Sequence, residues 1–236
     1  MIAASSNGDA RSALSTLEMT ILNADVDDKG VAHVSRETVE QCASRKSLLY
    51  DKNGEEHYNL ISALHKSMRN SDADAALYWL ARMLEGGDDI RFITRRLCIF
   101  AAEDVGLADP MALVVAQNAA AAVDRVGMPE ANLILGEAVI YLAAAPKSNS
   151  AYLAIKAAQQ NVREGKIMEV PSHLRNDGEG YVYPHDSPGH WVPQAYMPEV
   201  RRFYFPGRLG AEGRIEDRLK RLWKRFSTET DENQDK

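Results

Sequence analysis

Apolar residues recur at helical spacing through the middle of the chain, and residues 57–109 carry the clearest pattern. Leu60, Ile61, Leu64 and Met68 follow the i, i+1, i+4, i+8 spacing of one helix face. Ala76, Trp79, Leu80, Met83 and Leu84 do the same, as do Ile90, Ile93, Leu97, Phe100 and Ala101. Asp72 and Asp88 stand where N-caps belong, because a short carboxylate accepts the free N–H groups of a first turn. Gly86-Gly87 and Gly106 stand where C-caps belong. Joints this short make neighbouring helices antiparallel, so the stretch predicts the nucleus of a helical bundle.

The pattern continues on both sides. Upstream, Asn7-Gly8-Asp9 breaks into a helix whose Ala10, Ala13, Leu14, Leu17 and Ile21 form one apolar face. Residues 25–29 read as an acidic turn, and Ser35 caps a second short helix carrying Val39, Cys42 and Ala43. No strand precedes these helices, and a unit of about 45 residues is too small to stand comfortably alone. Residues 46–54 read as a linker, with Asp51-Lys52-Asn53-Gly54 as its turn. Downstream, Asp109-Pro110 opens an Ala- and Val-rich helix that runs to Gly127. Pro129 opens the next, which carries Leu133, Leu135, Ala138, Ile140 and Tyr141 and stops at Pro146. Another starts at Ser148 or Ser150 and ends near Gly165. Alanines at 119–122 and 143–145 predict close helix approach and buried helices.

From 166 to 213 the helical period disappears. Six of the nine prolines and seven of the seventeen aromatic rings fall there, too many rings for a disordered segment. The stretch is predicted to be an ordered, irregular strap that packs its rings onto the bundle or onto a neighbouring subunit. A last helix over about 211–226 places Ile215, Leu219, Leu222, Trp223 and Phe226 on one face, and 227–236 is polar and expected to be disordered. The predicted class is all-α: a small helical unit over 1–46, a larger bundle with strap and final helix over 47–226, and the tail.

Composition narrows the function. With 45% apolar and 26% charged residues the chain can bury a sizeable core in one or two domains. A net charge of −6 argues against coating nucleic acid through the overall field and leaves local basic patches open. No apolar run approaches ~18 residues, and no signal peptide is evident, so no membrane partner is expected. Cys42 and Cys98 are read as reduced thiols of a cytoplasmic protein, with nucleoid association left open. There is no CxxC, and the six histidines show no ligand spacing, so no metal is expected.

Two basic clusters are the candidates for binding. Arg91, Arg95 and Arg96 share a helix and either meet phosphates or form a salt-bridged face. Arg214, Arg218, Arg221 and Arg225 make a stripe at 0, +4, +7 and +11, with Lys220 and Lys224 beside it. Such a stripe docks on nucleic acid or an acidic partner, or complements the helix dipole. His57 and His65 read as packing or interface residues rather than catalytic ones. His185-Asp186 lacks the further ligands that a metal-dependent phosphohydrolase needs. The aromatic strap lacks the interleaved lysines of a single-strand binder, which favours packing.

Gly8-Asp9-Ala10-Arg11-Ser12-Ala13-Leu14, followed by Leu17-Glu18, resembles the sensor-2 helix in the lid of clamp-loader-type AAA+ ATPases. Several blocks resemble one family of that clade: Leu64-His65-Lys66-Ser67 with Arg69, Asp74-Ala75-Ala76-Leu77-Tyr78-Trp79, and Glu103-Asp104-Val105-Gly106 with Ala108-Asp109-Pro110. Ala145-Pro146-Lys147-Ser148-Asn149 and Val170-Pro171-Ser172-His173-Leu174-Arg175-Asn176 do so too. The family is the replication-associated recombination protein A group (MgsA/RarA), related to the Werner-helicase-interacting ATPases, and the likeness covers about residues 3–226. It implies a carboxy-terminal piece: a lid remnant, then the helical domain by which the family forms homotetramers. It further implies DNA-dependent ATPase activity for the complete protein, with ATP and magnesium as its cofactors. DNA at stalled or damaged forks and single-strand-binding protein are the implied partners. The arginine matching Arg11 reaches the γ-phosphate in that family, a role suited to a guanidinium on a movable lid.

The sequence departs from the family in two places. It contains no G-x-x-x-x-G-K-[ST] phosphate loop, since Gly165-Lys166 is followed by Ile167, and no apolar strand ends in Asp-Glu to hold magnesium. This chain is therefore expected to carry no cofactor and no catalytic residue of its own, and not to hydrolyse ATP. A longer, lysine-bearing insert usual in the family is replaced by Asp177-Gly178-Glu179-Gly180. Three readings compete: an oligomerisation scaffold, a module binding DNA or a replication protein through the last helix, and an independent enzyme.

Overall fold

A computed structural model describes residue 2 and residues 10–27, 30–40, 42, 55–165 and 167–227. The break at Asn7-Gly8-Asp9, the linker at 46–54 and the tail after 227 lie outside the described residues. The helices are α1 (Ala10–Leu22), α2 (Glu55–Arg69), α3 (Ala73–Glu85), α4 (Ile90–Phe100), α5 (Met111–Val126), α6 (Ala131–Ala144), α7 (Ser150–Glu164) and α8 (Glu212–Leu222). A two-residue antiparallel hairpin, β1 (Asp25–Val26) with β2 (Ala32–His33), follows α1. The chain divides into two compact units: Met1–Arg96 with Ala122–Ala143, and Leu97–Ala121 with Ala144–Lys236.

In the first unit the predicted stripe of α2 is the buried one. Leu60, Ile61, Leu64 and Met68 are all inside, each contributing roughly 1.5–3 kcal/mol of transfer free energy. Ala76, Leu80 and Met83 of α3 and Ile93 of α4 are buried with them, while Trp79 and Leu84 are half-buried. On α6, Leu135, Ala138, Val139 and Leu142 are buried, but Leu133 and Ile140 face out. Asp72 caps α3 as expected, its Oδ1 accepting the Ala75 N–H at 2.9 Å.

Three local expectations are corrected in this unit. Helix α4 begins at Ile90, where the apolar pattern begins, but one residue later than a cap at Asp88 implies: Asp89 Oδ1 accepts the Arg91 N–H and the Asp88 side chain is buried beside His57. Among the described side chains of α1 the buried ones are Thr16 and Thr20, while Leu14, Leu17 and Ile21 of the apolar face are exposed. Thr20 can go inside because its hydroxyl donates to the Thr16 carbonyl at 2.6 Å. The acidic turn is the hairpin: Asp27 Oδ1 accepts the Val31 N–H and its Oδ2 lies 2.9 Å from His33 Nε2. Ser35 does cap the next helical residues, 36–40, through the Thr38 N–H, and Val39 and Cys42 are buried.

The second unit is held by polar contacts between loops. After Phe100 the backbone widens into a π turn (Ala101–Val105) and then tightens into a 3-10 turn (Gly106–Ala108). Gly106 has φ +52°, and a Cβ there would stand 2.4 Å from the Ser148 carbonyl oxygen, so glycine is required twice over. The Ser148 N–H donates to the Asp104 carbonyl at 2.8 Å and the Ala211 N–H to the Ala108 carbonyl at 2.7 Å. These bonds bring the first turn of α8 against the loop that opens α7.

There Glu212 is fully buried. Its carboxylate accepts hydrogen bonds from Ser148 Oγ, Ser150 Oγ and, at 2.8 Å, the Tyr204 hydroxyl. Burial alone would raise its pKa, but these donors and the Gly207 N–H outweigh burial and hold it below the ordinary glutamate value. Burial first, and the hydrogen bond to Glu212 second, push the Tyr204 phenol up. Apolar packing adds Leu97, Phe100, Val105, Ala108, Ala112, Ala116 and Ala119. The alanine runs mark one face rather than wholly buried helices, since Ala119, Ala143 and Ala145 are inside while Ala121 and Ala144 are exposed.

The strap has the irregular form expected of it, with 3-10 turns at Ser172–Leu174, Pro184–Asp186 and Pro188–His190. Its rings are not a core: none between 167 and 210 is fully buried. Trp191 and Tyr196 meet the edge and face of Trp223 at 5.5 and 6.1 Å. Helix α8 is shorter than predicted. It ends at Leu222, Trp223 is extended (φ −131°, ψ 119°), and Phe226 is buried from a separate 3-10 turn.

Replacing Glu212 with Ala strands the buried hydroxyl of Ser150 and the half-buried ones of Ser148 and Tyr204, and should cost on the order of 3 kcal/mol of unfolding free energy, read from urea denaturation. Because the carboxyl is depressed in the folded chain, the advantage of the native protein over Glu212→Gln should be full above the ordinary glutamate pKa and shrink as pH falls below it. An advantage that does not change with pH would mean that the ionised carboxylate is not what these donors hold.

Candidate functional site

The two basic clusters belong to different compact units. On α8, Arg214, Arg218 and Arg221 are exposed, and their spacing of four and three residues puts them on one side of the helix. Lys220 turns away to Glu216 at 2.7 Å, and Glu216 also meets Arg208 at 3.7 Å. The helix break at Trp223 takes Lys224 and Arg225 off the row. Lys224 is exposed, while the Arg225 guanidinium lies over the Trp223 ring at 4.5 Å and near Phe226 at 5.6 Å. The stripe read from the sequence is therefore a row of three arginines with a separate aromatic-backed cation after it.

On α4, Arg91 and Arg95 differ in circumstance. Arg91 Nε donates to Asp124 Oδ1 at 3.0 Å, and that bond raises its pKa further. The pair is largely exposed, so its stabilising effect is small. Arg95 is exposed and covers Phe92 at 5.5 Å. The backbone of Arg11 is helical within α1, and its side chain lies outside the described residues.

A buried pair near the start of α4 has no signature in the sequence. His57 Nδ1 lies 2.9 Å from Asp88 Oδ1, and both side chains are almost fully enclosed. The His57 ring also touches Tyr58 edge-on at 5.2 Å and Phe92 at 4.4 Å. Burial first, and Asp89 second, push the Asp88 carboxyl up to about 6. Partners 31 positions apart, on a helix and in a loop, have no periodic signal that could find them. Among the described residues no group of three or more His, Cys, Asp and Glu side chains is placed to hold a metal ion, and no helix is long and apolar enough to cross a membrane. Cys42 is buried, and Cys98 is half-buried beside Gln117, where burial pushes its thiol up.

The Asp88 shift has a definite sign. The ordinary value is 3.8, so between about pH 4 and pH 6 the folded chain keeps a proton that the unfolded chain has lost. This group therefore lowers stability as pH rises through that window. Urea midpoints of the native protein and Asp88→Asn, measured from pH 4 to 7, should show the native protein losing ground to the variant up to about pH 6 and not beyond. Parallel profiles would refute the shift.

The family described as MgsA AAA+ ATPase C terminal matches residues 70–223, and the AAA C-terminal domain matches residues 1–69. Replication-associated recombination protein A of Bacillus subtilis is 43% identical over 229 residues, covering 92% of this chain and 53% of that protein. The Escherichia coli K12 protein of the same name is 44% identical over 227 residues, covering 90% of this chain and 51% of its own length. ATPase WRNIP1 of Dictyostelium discoideum is 39% identical over 220 residues, covering 82% of this chain and 25% of its own. The chain thus spans about half the length of the bacterial relatives named here. With its residues 70–223 matched as one region, preceded by an AAA C-terminal domain, the chain belongs to the MgsA AAA+ ATPase C-terminal family.

Proposed function

We propose that this chain is the oligomerising, carboxy-terminal part of a clamp-loader-like AAA+ ATPase that acts at stalled or damaged replication forks. The observation that carries the reading is the pair of adjoining matches, both to C-terminal parts of AAA+ ATPases, on a chain about half as long as its bacterial relatives. The exposed apolar side of α1, with Leu14, Leu17 and Ile21, supports it, because an AAA+ lid normally packs against further protein. In this reading ATP and magnesium belong to the complete protein. Arg11 reports on the γ-phosphate there, and the helical domain holds a homotetramer together. DNA and single-strand-binding protein are the partners. Light scattering over a dilution series should give a tetramer that persists to low concentration. A monomer at every concentration sinks the scaffold reading for this segment.

A second reading is favoured by one specific observation, the exposed row Arg214, Arg218 and Arg221. Here the chain is a helical module binding DNA or a replication protein through α8. Reversing Arg218 and Arg221 to Glu should abolish salt-dependent binding to single-stranded DNA. If the unmodified chain binds no strand, this reading fails.

A further inference from the structure

A partly open pocket of about 290 Å³ runs along α2, from Tyr58 to Arg69, and against Phe92 and Arg96 of α4, within the first unit. His65, Lys66 and Arg69 line it from α2 and Arg96 from α4, with Tyr58 and Phe92 as its aromatic walls. No carboxylate lines it among the described residues. Lys66 and Arg69 by themselves would need no ligand, because cations in the last turn of a helix complement its exposed carbonyls. Arg96 has no such reason to be there. It sits inside α4, half-buried, and its Nε is enclosed with no hydrogen-bond partner among the described residues. An enclosed guanidinium N–H is costly unless an acceptor meets it, and an oxyanion with several oxygens suits the guanidinium fork best.

The walls say which oxyanion. Tyr58 is exposed, and the buried ring of His57, fixed by Asp88, contacts both Tyr58 and Phe92. The buried pair thus sets the aromatic faces, and those faces stand beside cations. A carboxylate on a protein partner would use the cations and leave the rings idle. A phosphate joined to a base uses both, and the volume suits one nucleotide unit.

We propose that this pocket is a subsite for single-stranded nucleic acid, with one backbone phosphate held by Lys66, Arg69 and Arg96 and the adjoining base stacked on Tyr58. The site is separate from the α8 row. Its choice of nucleic acid over other phosphate carriers rests on the fork-acting reading above.

The test is fluorescence anisotropy of the full chain with a short labelled oligothymidylate, at several salt concentrations. Lys66→Glu with Arg69→Glu should weaken binding at least about tenfold and lower the salt slope by roughly one. Tyr58→Ala should weaken it roughly fivefold or more with the slope unchanged. Arg96→Gln should weaken it too, and circular dichroism shows whether that variant still folds. The exposed Lys66, Arg69 and Tyr58 variants decide the matter if it does not. Binding that survives Arg218→Glu with Arg221→Glu must be lost on adding Lys66→Glu, and complete loss in the α8 pair with the Lys66/Arg69 pair silent overturns the proposal in favour of the α8 row. Unchanged affinity in the Lys66/Arg69 and Tyr58 variants overturns the proposal. Equal competition by polyglutamate with Tyr58→Ala silent overturns it in favour of an acidic peptide. Equal competition by thymidine monophosphate overturns the strand in favour of a free nucleotide. A persistent tetramer that binds no strand removes the subsite and leaves the scaffold standing.

Discussion

The second unit depends on a buried carboxylate. Glu212 has no contact with solvent, so its charge costs several kcal/mol of hydration, and that cost is offset only while the donors stay in place. Each hydroxyl or N–H donor to the ionised group contributes roughly 1.5–3 kcal/mol. The donors come from the loop before α7 and its first residue, from the end of the strap and from its turn at Gly207. Segments with little apolar surface of their own are thereby fixed against one another. The position at the first residue of α8 helps, since the unpaired N–H groups of a helix start favour a negative charge. Close backbone packing around this knot leaves no room for side chains at Gly106 and Gly210, where a Cβ would meet the Ser148 and Ala108 carbonyls.

The first unit is organised by a different force. Leucines, methionines and alanines on α2, α3 and α6 remove a continuous apolar surface from water, and the buried His57–Asp88 pair sits at the margin. Such a core tolerates exchange of similar volumes. The Glu212 knot does not, because its geometry is set by donors and one acceptor. Two compact units of one chain therefore answer to different kinds of substitution.

How much was legible follows from that contrast. The helices of residues 55–165 could be read because their burial is periodic, and periodicity is what a sequence displays. Leu64 and Met68 are buried where the spacing puts them. The resemblance likewise picked out the Ser148 and Glu103–Gly106 neighbourhoods, but as blocks without a reason. The reason is Glu212, which reads in the sequence as one more acidic residue at a helix start. On α1 the leucine stripe misled, because an amphipathic face shows that something covers it, not that this chain does. Asp88 and Asp89 are equivalent as letters, and only the start of α4 decides which one caps. Of the candidate site, the α8 arginines were legible as a row. The turn at Trp223 was not, since neither glycine nor proline announces it. The pocket between α2 and α4 joins residues with no common period.

The break at Trp223 sets a limit of reach. Arg214 to Arg221 spans seven residues, which at 1.5 Å of rise each is about 10 Å along the axis. A polyanion docked on α8, as in the second reading, would be gripped over that length and would then meet a cation already resting on an indole. The surface can register a few charges of a strand but cannot follow one. In that reading anything longer would have to be held by repetition, one short grip on each copy of the chain, so that occupancy would depend on how many copies stand together and how far apart they are.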